Sequence, residues 1–190
     1  MGRLRIEENM NVPNKITLSR FVITIILAII FVSDGLQMPV KNYTLTGIFL
    51  LGAITDVLDG FIARRFNQIT TLGIFMDPIA DKVLILTSMV CLVYLHRLSP
   101  VIAIVLLGRD LIMTGLRLIA SEQGVVIPAL VSGKIKVVLE TILIAYLFLD
   151  FDIFAFELVL IILSIVFAYF SLIKAIIKNA NILRQDNKRI

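Results

Sequence analysis

The chain has 190 residues, of which 59% are hydrophobic and 17% charged, and its mean hydropathy is +1.00. Soluble domains are about half apolar and a quarter charged, and disordered chains are more polar still, so both classes are excluded. The single cysteine and the single histidine exclude a disulfide framework, a thiolate metal cluster and a multi-histidine metal site within one chain.

Six apolar stretches follow one another along the chain, separated by short turns. They cover residues 21–32 with an extension back to Ile16, 43–66, 72–95, 100–120, 130–149 and 153–177. Each is long enough to cross a hydrocarbon core of about 30 Å as a helix. They lack the alternation of a membrane barrel. The sequence therefore predicts an all-α integral membrane protein with six transmembrane helices. We expect one membrane-embedded domain over residues 1–190, with a polar N-terminal segment (1–15) and a basic tail (178–190).

Lysine and arginine residues cluster at one set of helix ends. These are Arg3, Arg5, Lys15, Arg20, Arg64, Arg65, Lys174, Lys178, Arg184, Lys188 and Arg189. Because positive loops stay in the cytoplasm, we expect a multi-pass protein of the cell membrane with both termini cytoplasmic. The net charge of +4 comes from residues at membrane edges, where anionic lipids attract them, and does not indicate a nucleic-acid partner.

Four aspartates lie inside the second and third predicted spans. Asp56 and Asp59 are three residues apart, and Asp77 and Asp81 are four apart, so each pair shares one helix face. Charges inside a membrane are costly and mark functional sites by default. A short loop joins the two spans, so the four carboxylates are predicted to converge near the cytoplasmic boundary. Such a set suits hard divalent cations, and Mg²⁺ is the usual choice beside phosphates.

The residues around these aspartates form a specific pattern. It reads D-x-x-D-G-x-x-A-R from Asp56 to Arg64, then G-x-x-x-D-x-x-x-D from Gly73 to Asp81. This pattern resembles the signature of the CDP-alcohol phosphatidyltransferases. The resemblance extends over nearly the whole chain, and the segment from Asn11 to Arg20 is similar to the start of the bacterial phosphatidylglycerophosphate synthases.

The resemblance implies a six-helix bundle of the CDP-alcohol phosphotransferase type, usually a homodimer, with a site open to the cytoplasm. It implies two divalent cations, Mg²⁺ or Mn²⁺, and Asp81 as general base. The donor is expected to be CDP-diacylglycerol, the acceptor sn-glycerol 3-phosphate, and the products phosphatidylglycerophosphate and CMP. The metal ligands are expected to be Asp56, Asp59, Asp77 and Asp81. The expected CDP-binding residues are Gly60, Ala63, Arg64, Gly73, Asn14 and Thr17.

The acceptor is a dianion and needs cationic partners, for which the predicted membrane helices offer four candidates. These are Arg109, Arg117, Lys134 and Lys136. Internal ion pairing with Asp110 or Glu140 is the alternative for these cations. Asn14, Thr17 and Arg20 have an alternative too, because they can simply cap the first helix and anchor it at the interface.

Other functions remain open from the sequence. The same chemistry with serine, inositol phosphate or phosphatidylglycerol as acceptor would keep every motif residue. The cluster of cations favours a phosphorylated acceptor over serine. A small cation transporter would use the acids as ion ligands, but it gives no reason for the glycine, alanine and arginine of the motif.

Overall fold

A computed structural model of the chain describes residues 12–66, 71–122, 127, 130–151 and 153–179. Side chains are described for residues 18–55, 79–80, 82–121, 127, 130–151 and 153–179. The helices are α1 (Val12–Val32), α2 (Val40–Phe66), α3 (Thr71–Tyr94), α4 (Pro100–Glu122), α5 (Val131–Leu149) and α6 (Phe154–Lys178). Within these described residues, the predictions of an all-helical chain and of six long helices are therefore confirmed.

The largest difference from the predicted boundaries is at the start of α1. This helix begins at Val12, although the apolar pattern indicated a start no earlier than Ile16. Pro13 therefore lies in the first turn, where backbone N–H groups have no intrahelical acceptor and a proline costs little. Pro100 is tolerated for the same reason, as the first residue of α4.

The chain forms two compact units, Met1–Cys91 and Leu92–Ile190. In the first unit α1 packs chiefly against α2, and side chains of α1, α2 and α3 contribute to the buried core. In the second unit both α4 and α5 pack against α6. One apolar cluster of the second unit consists of Met113, Leu116, Ala120, Ile127, Leu172 and Ala175.

The C-terminal end of α5 is capped by a side chain from the segment before α4. Arg97 donates from Nη1 to the carbonyl oxygens of Leu147 and Phe148 at 3.4 and 3.1 Å, and from Nη2 to the Asp150 carboxylate at 2.7 Å. Asp150 has a left-handed backbone with φ of 62°, a conformation that commonly ends a helix. Arg97 therefore donates to two carbonyl oxygens at the end of α5, where the helix itself supplies no N–H donor.

Among the residues that the structure describes, α6 is the one helix that meets the length and composition needed to cross a membrane. Two shorter apolar segments, Leu18–Val32 and Lys82–Tyr94, accompany it. Charged residues such as Arg109 and Lys136 lower the hydropathy of α4 and α5. The prediction of six membrane crossings stays a prediction.

Candidate active site

The four aspartates of the sequence motif lie on two consecutive helices. The backbone of α2 is helical through Asp56 and Asp59, and that of α3 is helical through Asp77 and Asp81. The spacings of three and four residues therefore place each pair on one face of its helix. Their side chains lie outside the described residues, as do those of the other predicted motif contacts: Asn14, Thr17, Gly60, Ala63, Arg64 and Gly73.

One close contact fixes where the first three helices touch. A β-carbon on Gly52 of α2 would lie 2.7 Å from Cδ2 of Leu84 on α3, and 3.3 Å from Cγ2 of Ile23 on α1. Both distances are shorter than the roughly 3.5–4.0 Å of a normal carbon–carbon contact. The helices approach this closely because residue 52 has no side chain.

This contact sets the level of the carboxylates along the helices. Asp56 follows Gly52 by four residues, and Asp81 precedes Leu84 by three, so each lies about one turn from the contact and on the same helix face. Because α2 and α3 are neighbours joined by a short connection, they run antiparallel, and both steps lead towards that connection. Asp59 and Asp77 lie about one further turn in the same direction. The backbone register therefore predicts two levels with two aspartates each.

Arg20 of α1 reaches the same level from the third helix. It precedes Ile23 by three residues, and because α1 and α2 form a hairpin, this step also leads towards the level of Asp56. The Arg20 side chain is only 1% exposed. An interface anchor projects towards lipid headgroups, whereas this guanidinium is enclosed by the first unit.

The second unit contains a buried network of four charged side chains, which we call the ion network: Arg109, Asp110, Lys136 and Glu140. Asp110 accepts one hydrogen bond from Arg109 and one from Lys136, both at 2.8 Å. Lys136 also donates to Glu140. All four residues are buried, and their charges cancel, which is the condition under which such groups are tolerated away from water.

Arg109 connects the ion network to α6. Its Nε donates to the carbonyl oxygen of Ala168 at 2.8 Å, and its Nη2 donates to the Ser171 hydroxyl. Sequence reasoning missed both partners. The signal for Ser171 was present, because it is a hydroxyl-bearing residue in an otherwise strongly apolar helix; a backbone carbonyl such as that of Ala168 leaves no signal in a sequence.

The other two predicted cations have a different environment. Arg117 and Lys134 are exposed. Arg117 lies near the end of α4 and Lys134 near the start of α5, so both are at the helix ends that the short 123–130 connection joins. Arg109 is about 12 Å from Arg117 along the continuous α4. The structure thus divides the four cations into a buried, paired set and an exposed set.

The chemistry of the aspartate set fits divalent cations. Four carboxylates on adjacent helix faces offer the hard oxygen donors that Mg²⁺ and Mn²⁺ prefer. Arg20, which the backbone register places at the level of Asp56 and Asp81, is itself buried in the first unit. Clustered carboxylates in such a place repel one another unless cations lie between them.

The chain is similar to known proteins. The family model described as CDP-alcohol phosphatidyltransferase matches residues 10–170. Proteins named CDP-diacylglycerol–glycerol-3-phosphate 3-phosphatidyltransferase are similar to the chain. The one from Bacillus subtilis is 34% identical over 148 residues, covering 73% of this chain and 77% of the relative. The one from Salmonella choleraesuis is 37% identical over 142 residues (72% and 76%), and the one from Rickettsia felis is 31% identical over 147 residues (77% and 78%). The chain therefore belongs to the CDP-alcohol phosphatidyltransferase family.

Proposed function

We propose that this protein transfers the phosphatidyl group of CDP-diacylglycerol to sn-glycerol 3-phosphate, giving phosphatidylglycerophosphate and CMP. The observation that carries the proposal is the full aspartate motif on α2 and α3. Relatives that match this chain over about three quarters of their own length bear the name of this transferase. The protein is accordingly an enzyme of phospholipid biosynthesis.

The reaction exchanges one phosphorus–oxygen bond for another. The acceptor hydroxyl oxygen attacks the phosphorus that carries the diacylglycerol, and the bond from that phosphorus to CMP breaks. The CMP phosphate oxygen leaves with the bonding electron pair. The Asp81 carboxylate takes the proton of the attacking hydroxyl. Asp81 lies on α3 about one turn from the Gly52–Leu84 contact, so the packing of α2 on α3 determines the position of this base.

Four aspartates are proposed to hold two divalent cations, Mg²⁺ or Mn²⁺: Asp56, Asp59, Asp77 and Asp81. When bound, such ions neutralise negative charge on the diphosphate during the displacement. The donor's CDP portion is assigned to Gly60, Ala63, Arg64 and Gly73, with Asn14 and Thr17 at the start of α1. The small residues let a ligand approach the helix backbone, and the Arg64 fork suits phosphate oxygens.

The acceptor phosphate is assigned to cations of the second unit. Arg117 and Lys134 are exposed and close to one connection, so they are the proposed direct contacts. Arg109 and Lys136 belong to the same assignment, but each already donates to buried carboxylates. Their contribution is expected to come through the shape and charge of the ion network, unless the acceptor displaces one of its carboxylates.

The surface of the helices supports a membrane setting with six spans. α6 exposes Leu158, Ile162, Val166, Ile173 and Ile177 along its length. Contiguous exposed apolar surface of this extent is rare on soluble monomers and is the normal surface of a helix in lipid. We propose a homodimeric, multi-pass protein of the cell membrane with both termini and the active site cytoplasmic. The donor's acyl chains then remain in the bilayer.

An acceptor panel tests the function. Purified protein with CDP-diacylglycerol and Mg²⁺ is expected to release CMP with glycerol 3-phosphate, and not with serine, inositol phosphate or phosphatidylglycerol. CMP release with one of the other acceptors instead would change the assigned substrate. Absence of release with every acceptor, together with cation flux in liposomes, would replace the enzyme by a transporter. Asp81→Asn is expected to abolish turnover while the protein remains folded.

A further inference from the structure

We infer that Arg20 is a further donor-binding residue, whose guanidinium is a counter-charge for the diphosphate of CDP-diacylglycerol. The inference rests on the proposed function. It adds a residue of α1 to the proposed site, whose motif aspartates and Arg64 all lie on α2 and α3.

The first step of the argument is burial. Arg20 is 1% exposed and is the one buried charged residue among the described side chains of the first unit, where Leu27, Leu45 and Phe49 are all at most 1% exposed. Taking a guanidinium out of water costs several kcal/mol, which only anionic or strongly polar partners offset. A buried arginine in this place therefore indicates negative charge nearby.

The second step is register. Ile23, Gly52 and Leu84 meet in one contact, and Arg20, Asp56 and Asp81 each lie about one turn from it, on the same faces and towards the same end. Three helices thus bring one cationic and two acidic positions to one level. Arg20 is the α1 member of this level.

The third step is the charge balance. Two divalent cations offset the four aspartates, but a bound diphosphate then adds negative charge, for which the sequence motif itself supplies one cation, Arg64. A second fixed cation at the same level stabilises the bound donor through charge-assisted hydrogen bonds, for which the planar guanidinium is suited.

Removal of Arg20 therefore has opposite effects on two ligands. A cation beside the carboxylates opposes metal binding and favours diphosphate binding. Arg20→Met keeps an unbranched apolar side chain and removes the charge. We expect the affinity for Mn²⁺ without nucleotide, measured by electron paramagnetic resonance, to be unchanged or higher. We expect the affinity for CDP at saturating Mn²⁺, measured by calorimetry, to fall about ten- to one hundred-fold.

Thr24→Val is the matched control. Thr24 is buried on the same face of α1, one turn further from the aspartate level, and its hydroxyl bonds within the helix to the Arg20 carbonyl oxygen at 2.8 Å. This variant removes a buried polar group of α1 without removing charge. Its Mn²⁺ and CDP affinities are expected to equal those of the wild type.

Three outcomes decide the inference. Unchanged CDP affinity in folded Arg20→Met overturns it, and so does a parallel loss of Mn²⁺ and CDP affinity, because a purely structural role weakens both. If Arg20→Met does not fold, Arg20→Gln decides, because it keeps a polar side chain and removes the charge: CDP affinity is expected to fall about tenfold at unchanged Mn²⁺ affinity, and full CDP affinity overturns the inference. Wild-type turnover with glycerol 3-phosphate is measured separately, so a failure of the proposed function is recognised independently of these binding data.

Discussion

A methyl group added at Gly52 tests whether the contact between α1, α2 and α3 positions the aspartates proposed to hold the metal ions. In Gly52→Ala the new carbon overlaps Cδ2 of Leu84 at 2.7 Å and approaches Ile23 at 3.3 Å. Leu84 is 2% exposed, so its methyl group has no solvent to move into. Overpacking of this kind costs about 1–3 kcal/mol.

Gly47→Ala on the same helix provides the control. A β-carbon at Gly47 meets nothing within 4 Å. Both substitutions gain about 1 kcal/mol of helix propensity, so the difference between the two variants measures the overlap alone. For a chain of this size the difference corresponds to a melting temperature lower by about 2 to 12 °C in Gly52→Ala. The measurement is thermal unfolding of the purified proteins in one detergent.

Turnover gives the second readout. The overlap is relieved when α2 moves away from α3, which displaces Asp56 relative to Asp81. Misplacement of reacting groups by an ångström can cost about a hundredfold in rate, so we expect turnover by Gly52→Ala to fall at least about tenfold while Gly47→Ala keeps the wild-type rate. Combining Gly52→Ala with Leu84→Ala is expected to cost less than the sum of the single changes. Equal stability and full turnover in both alanine variants would refute the reasoning.

Three further predictions concern the metal, the ion network and the α5 cap. Chelation of divalent cations is expected to abolish CMP release, with recovery on adding Mg²⁺ or Mn²⁺; turnover that survives exhaustive chelation contradicts the metal assignment. Lys136→Met leaves two buried carboxylates without the cation that they share, and it is expected to cost about 3–5 kcal/mol in unfolding free energy. The control Lys134→Met changes an exposed residue and should alter the unfolding free energy by no more than about 0.5 kcal/mol. Equal melting temperatures of the two variants would contradict the ion network. Arg97→Ala removes hydrogen bonds to two carbonyl oxygens and is expected to lower the unfolding free energy by about 1–2 kcal/mol at unchanged turnover. Asp150→Asn removes only an ion pair with an exposed partner, so it is expected to lower the unfolding free energy by less than about 1 kcal/mol.

The sequence was sufficient to predict the six helices and the placement of the motif on two of them. Apolar stretches of about twenty residues favour a helix. Once the helix is known, the spacings of three and four residues place each pair of aspartates on one helix face. The start of α1 at Val12 was missed, because a polar first turn lacks the hydrophobic period by which helices are recognised.

The environments of the cations were not predictable from spacing. Arg109, Arg117, Lys134 and Lys136 look alike in the sequence, and internal pairing was only an alternative to phosphate binding. Whether a cation is buried and paired depends on how its helix packs: Lys136 of α5 reaches Asp110 of α4, and α6 gives Arg109 the Ser171 hydroxyl and a backbone carbonyl. The same holds for Gly52, whose role depends on Leu84 and Ile23 rather than on any local pattern.

The ion network of the second unit and the aspartate motif of the first unit differ in their charge balance. The ion network is balanced within itself, since two cations face two carboxylates and each carboxylate accepts from an adjacent cation. Together with the bonds from Arg109 to α6, it is suited to holding α4, α5 and α6 together. The aspartate motif places four acids on α2 and α3, against which the described part of the chain sets a buried Arg20. An excess of negative charge is unfavourable away from water until cations arrive, and this imbalance is the reason for proposing a metal and diphosphate site in the first unit.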